Sequence, residues 1–194
     1  ALKLLARNPE ILEEVLSNAP AQDAQMALEK TLTLLWQRLK RHTADYAPWL
    51  FPFRGSFRVE AAAAVLEWES SEAAKAILED LIECALLSYP SVDLGRYLFH
   101  AVVRESLEKK AKEMNICQIA LGRFDRYHRE LLKNTLQQLK NSPGGTSETW
   151  DTLAQEHSEI LEAVGRMESS KEVEAIVETL KKVLPKRVVR KPRH

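Results

Sequence analysis

Two cysteines in 194 residues, with no second Cys or His at ligand spacing beside either, exclude a disulfide framework and a zinc knuckle. Cys84 and Cys117 both fall inside apolar helical patterns and read as small core residues of a protein from a reducing compartment. No uncharged apolar run approaches the roughly 18 residues of a membrane span, and the opening Ala-Leu-Lys-Leu-Leu-Ala-Arg-Asn-Pro lacks the architecture of a signal peptide. The start without Met is what a piece of a longer protein would show. Glycine is scarce, and its one pair, Gly144-Gly145, sits in a breaker stretch rather than ahead of a helix, so no phosphate-cradling loop is spelled out. No H-E-x-x-H or E-x-x-H pair is present, and no window alternates at period two. No metal, cofactor, small-molecule substrate or membrane is implied.

What remains is a helical chain. Ala21 to about His42 carries Leu28, Leu32, Leu35 and Leu39 at helical spacing with Trp36 beside them, and its last turn, Arg38, Lys40, Arg41 and His42, complements the negative end of the helix dipole. Asn8-Pro9 opens a shorter helix before it, ending near Ser17. Phe57 to Glu69 is alanine-rich and suited to close helix approach. After Ser70-Ser71-Glu72, the residues Ala74, Ile77, Leu78, Leu81, Ile82, Ala85 and Leu86 make an amphipathic stripe that Tyr89-Pro90 ends.

From Leu94 to Val103 the apolar positions Leu94, Tyr97, Leu98, Phe99, Ala101, Val102 and Val103 cover nearly the whole circumference of a helix. The pattern predicts a central helix capped by Ser91 or Asp93, running to Met114, with His100 as a core histidine. Asn115 marks a turn, and Ile116 to Lys140 continues as a helix with Ile116, Ala120, Phe124, Tyr127 and Leu131 on one face. Asn141-Ser-Pro-Gly-Gly-Thr-Ser147 is the strongest breaker. Two acidic helices follow, 147–168, with His157 on its apolar face, and 169–184, and the chain ends in a basic tail without apolar period.

The expected fold is all-α: an irregular multi-helix bundle, or a short HEAT-like array of about four helical hairpins, with no sheet. The expected division is a main helical domain over 1–141, a linker at 142–146, an acidic helical hairpin over 147–184 packed on it, and a disordered tail over 185–194.

Net charge is zero, yet residues 1–93, 94–140, 141–180 and 181–194 carry −5, +5, −7 and +7. Such segregation concerns partners rather than fold. Two surfaces follow from it and from the aromatics. Pro48-Trp-Leu-Phe-Pro-Phe53 either folds its aromatics onto the core or exposes Trp49, Leu50, Phe51 and Phe53 as anchors for a protein partner. Arg126, Arg129, Lys133 and Lys140 form a stripe on the far side of their helix from the apolar face, and Lys186, Arg187, Arg190, Lys191 and Arg193 make the tail basic. The tail suits a nuclear import signal, a phosphate contact or a clamp on an acidic protein.

Three functions fit. The leading expectation is a non-enzymatic scaffold or adaptor domain of a larger intracellular, nuclear protein, binding a protein partner. A nucleic-acid-binding helical module using the 126–140 stripe and the tail is the alternative. The third rests on Arg123-Phe-Asp-Arg-Tyr-His128, which resembles the R-x-x-x-x-H motif of the HEPN domains, a family of all-α, metal-free ribonucleases. The resemblance covers six residues and implies that Arg123 would steady phosphate charge while His128 handles a proton.

Overall fold

In a computed structural model of the chain, residues 21–91, 95–141 and 147–166 are described, apart from some side chains within the helices and β2. The expected helix at 8–17, the cap at Asp93, the linker at 142–146, the helix at 169–184 and the tail lie outside the described residues. The elements are α1 (Ala21–Arg38), α2 (Arg41–Tyr46), a 3-10 turn (Ala47–Leu50), β1 (Phe57–Arg58), α3 (Val59–Leu66), α4 (Ser71–Glu83), β2 (Ser88–Ser91), β3 (Arg96–Leu98), α5 (Ala101–Glu113), α6 (Cys117–Asn141) and α7 (Ser147–Gly165). They divide into two compact units, Ala1–Ala120 and Leu121–His194, with the division inside α6.

The chain is mostly helical, but the expectation of no sheet is wrong. β1, β3 and β2 form a three-stranded antiparallel sheet in that order. Phe57 opposes Tyr97 and Arg58 opposes Arg96, while β2 pairs with β3 through Ser88–Leu98 and Ser91–Arg96 with an irregularity between. Within the first half of the expected central helix, Ser91 ends β2 and Arg96–Leu98 is strand, and α5 begins only at Ala101. A short run that is apolar on every side suits a buried strand as well as a buried helix, and Gly95, at φ +59°, decides the matter by turning the chain into β3. His100 is corrected with it: it is exposed, on extended backbone at the N-cap position of α5.

An aromatic stack forms the centre of the first unit. Phe53 and Phe57 stack with centroids 4.2 Å apart, Phe57 stacks on Phe99 at 5.5 Å, and Tyr97 lies 6.0 Å from Phe57. Ala61, Ala62 and Ala63 of α3 are buried, which lets α4 and the 3-10 turn approach closely. On the other face of β3, buried Arg96 donates through Nε to Ser56 Oγ at 2.8 Å and through Nη2 to the Ser56 carbonyl. It thereby ties the sheet to the loop before β1.

Other helices follow the sequence pattern with shorter bounds. Ser70 caps α4 by accepting from the Glu72 N–H at 3.1 Å, and Ala74, Ile77, Leu78 and Leu81 are buried as their spacing predicts. The helix expected from 21 to 42 stops at Arg38 and restarts at Arg41 as α2, whose His42 ring lies parallel to Trp68 at 5.9 Å. At the N-terminus of α2, Lys40 offers no side-chain cap, and buried Asp80 of α4 takes that role across the fold. Its Oδ2 accepts from the Lys40 N–H at 3.3 Å and its Oδ1 lies 3.1 Å from Lys40 Nζ. Burial raises the Asp80 carboxyl, but hydrogen bonds from Thr43 and Lys40 outweigh it and hold the group below its ordinary value. No described helix is long and apolar enough to cross a membrane.

Asp80→Ala should lower the unfolding free energy by about 2–3 kcal/mol, the cost of losing the hydrogen bonds that a buried carboxylate accepts at the start of α2. Lys40→Ala should cost much less because its ammonium is exposed and its main-chain N–H remains. Urea denaturation followed by circular dichroism separates the two, and equal losses would mean that the ion pair, not the cap, matters.

Candidate functional site

The aromatic segment does not reach the surface. Leu50 is fully buried, Phe51 is 8% exposed and Phe53 1%, so the core reading of 48–53 holds and these three are corrected from docking anchors to core residues. Trp49 alone is half-exposed. The physical reason is the sheet, which the sequence reading lacked: Phe53 needs Phe57 of β1 as its stacking partner.

The basic stripe has the opposite fate. Arg126, Arg129 and Lys133 are exposed on α6, while Phe124, His128, Leu132 and Thr135 are buried. Relative to expectation the buried face has turned toward His128 and Leu132, leaving Tyr127 and Leu131 half-exposed. α7 accounts for the turn. It runs antiparallel to α6, bringing Arg166 to Asp125 and Glu156 to His128. The side chain of Lys140 and all the tail cations lie outside the described residues, as does the side chain of His157.

His128 is 1% exposed. Its Nδ1 lies 2.9 Å from the Phe124 carbonyl, which fixes Nδ1 as the protonated nitrogen, and Nε2 lies 3.9 Å from Oε2 of buried Glu156. Burial pushes its pKa below the ordinary 6.5, against the pull of the Phe124 carbonyl, Glu156 and Asp125, and with a push from Arg166. Arg123, five residues back, stands about 140° away around the helix at about 100° per residue. The structure thus encloses the histidine of the R-x-x-x-x-H motif rather than presenting it beside Arg123. Among the described residues, no group of three or more His, Cys, Asp or Glu side chains is arranged to hold a metal. Cys84 and Cys117 are free and half-buried.

A groove of about 600 Å³ lies between α1 and α5, floored by Leu32, Trp36 and Val102 and rimmed by Glu29, Glu105 and Lys109 among others. Trp36 Nε1 donates to Ser106 Oγ at 2.9 Å, and Lys110 Nζ sits 4.8 Å over the Trp36 ring. Periodicity marked Leu32 and Trp36 as inward residues. It could not show that α5 meets them through Ser106 and two lysines instead of an apolar stripe.

No family model, curated protein or solved structure matches this chain.

The enclosed histidine predicts a pH response. Because its folded pKa is depressed, His128 contributes stability that is present above pH 6.5 and lost as pH falls below it, by at most about 1.4 kcal/mol per pH unit. The thermal midpoint of the wild type should therefore fall more between pH 7.5 and 5.5 than that of His128→Gln. Parallel curves for the two proteins would count against the buried neutral imidazole.

Proposed function

We propose that this chain is a non-enzymatic interaction domain that engages a protein partner through α1 and the α1/α5 groove. The observation that carries the reading is the state of α1. No described side chain between residues 26 and 38 is buried; Leu32, Leu35 and Trp36 are half-exposed, and Met26 and Leu34 are 50% and 46% exposed. A helix with this much uncovered apolar surface beside a groove of ligand size offers the wet-rimmed, apolar-floored geometry of a docking site.

The groove replaces Leu50, Phe51 and Phe53 as the docking surface, since those side chains support the core. The enclosure of His128 weighs against a ribonuclease and in favour of binding without chemistry. The intracellular, nuclear location we propose rests on the basic run Lys181–Arg193, whose composition suits an import receptor.

Affinity capture compared between wild type and Leu32→Glu tests the reading. Because Leu32 is half-exposed, the variant should keep its thermal midpoint to within a few degrees while losing at least tenfold of the proteins retained specifically by the wild type. Retention of the same set by both would move the docking surface elsewhere.

A further inference from the structure

We propose that the α1/α5 groove takes an amphipathic helix whose apolar face is flanked by lysine or arginine. This names the chemistry of the partner and rests on the reading of the groove as a docking surface. Half-exposed Leu32, Trp36 and Val102 form an apolar floor, and the carboxylates of Glu29, Glu105 and Glu113 line it beside Lys109 and Lys110. All three carboxylates are exposed, and none is ion-paired to a described residue. Lys109 stands one turn from both Glu105 and Glu113 and closes on neither.

A cation already rests on the floor. Lys110 Nζ lies 4.8 Å over the Trp36 ring, and Trp36 Nε1 donates to Ser106 Oγ at 2.9 Å, so the indole is fixed with one face turned to an ammonium. Lys110 thus does on this chain what a partner's cation would do on the same ring. With its charge engaged there, Lys109 alone stands against three carboxylates. The other cations of the two helices, Lys30, Arg38, Arg104 and Lys112, lie outside the lining, and Lys112 Nζ holds Glu108 at 2.7 Å.

The dimensions suit a helix rather than a single side chain. The lining runs from Glu29 to Gln37 on α1, about 12 Å, and from Val102 to Glu113 on α5, about 16 Å, at about 1.5 Å per residue. That is about two to three helical turns, enough to set apolar anchors at i, i+3 or i+4 and i+7 on the floor. Cations beside those anchors meet the carboxylates of the rim, whereas an acidic helix brings like charges together. The same carboxylates repel nucleic acid and anionic lipid.

Fluorescence anisotropy of the full chain with labelled, helix-forming peptides of about 18 residues tests the proposal; each has the same Leu/Ala face and a polar face of Lys, Gln or Glu. At about 100 mM salt the Lys peptide should bind at least about tenfold tighter than the Gln peptide, with the Glu peptide weakest. Leu32→Gln, checked for unchanged helical circular dichroism, should weaken the Lys peptide at least about tenfold, and Glu105→Lys with Glu113→Lys should reverse the order of the Lys and Glu peptides. Lys110→Gln, which bares the Trp36 ring, should tighten the Lys peptide about threefold or more. Lys112→Gln makes the same change of charge outside the groove and should leave the affinity within about twofold. Equal effects of the two lysine variants would overturn the proposal by making the attraction general. So would a Lys peptide that does not bind, or that ignores both Leu32→Gln and the double charge reversal; the capture comparison with Leu32→Glu then still decides the docking surface by itself. Equal binding of all three peptides, abolished by Leu32→Gln, would overturn the charge preference while sparing the docking surface. A dimer in sedimentation velocity that Leu32→Gln dissociates would give the groove to a second copy of the chain and overturn the proposal as well.

Discussion

The burial of Phe57 between Phe53 and Phe99 is the contact on which the first unit depends. Phe57 sits on a strand of two residues, too short to be held by its ladder, and its ring rather than its hydrogen bonds fixes where the strand lies. The stack draws in the loop from Pro48 to Phe53 and β3 together. Because Phe53 precedes β1 and Phe99 precedes α5, one aromatic column sets the starting points of the sheet and of α5. The small residues of α3 and the Ser56 clamp of Arg96 then fit around that column.

The second unit is built on a different balance. Its buried layer mixes Phe124, Leu132, Leu153 and Ile160 with His128, Thr135, Glu156 and Glu159. Polar groups in such a layer favour one pairing of the two helices, since each buried charge is expensive unless it meets its partner. Arg166 extends the same ordering to the surface by fixing Asp125 and Glu162. Core polarity and surface charge are thus linked along one helix, with the enclosed face making structure and Arg126, Arg129 and Lys133 exposed on the other.

Between them the two units carry surfaces of unlike character. The α1/α5 groove offers half-exposed apolar side chains with mixed charge at its rim, and α6 carries exposed Arg126, Arg129 and Lys133. The aromatic segment 48–53 becomes core except for half-exposed Trp49, and the side chains of Arg126, Arg129 and Lys133 stay exposed. Exposure, not residue type, separates the two outcomes.

Most helices were legible in the chain because period and capping act locally. The stripe of α4, its Ser70 cap, the turn at Asn115 and the span of α6 all follow from residues within a turn or two of one another. The basic face of α6 was legible for the same reason. The sheet was not, since three short strands gain their identity only from partners up to forty residues away, and the apolar run 94–103 fits strand or helix equally until Gly95 and Phe57 are placed. Nor could the sequence show that Asp80 would cap α2, that α7 would enclose His128, or that α1 would remain half-covered beside α5. Local periodicity determined which segments are helical and which side of α6 is charged; tertiary packing decided what each face meets, because burial depends on neighbours that spacing along the chain does not specify.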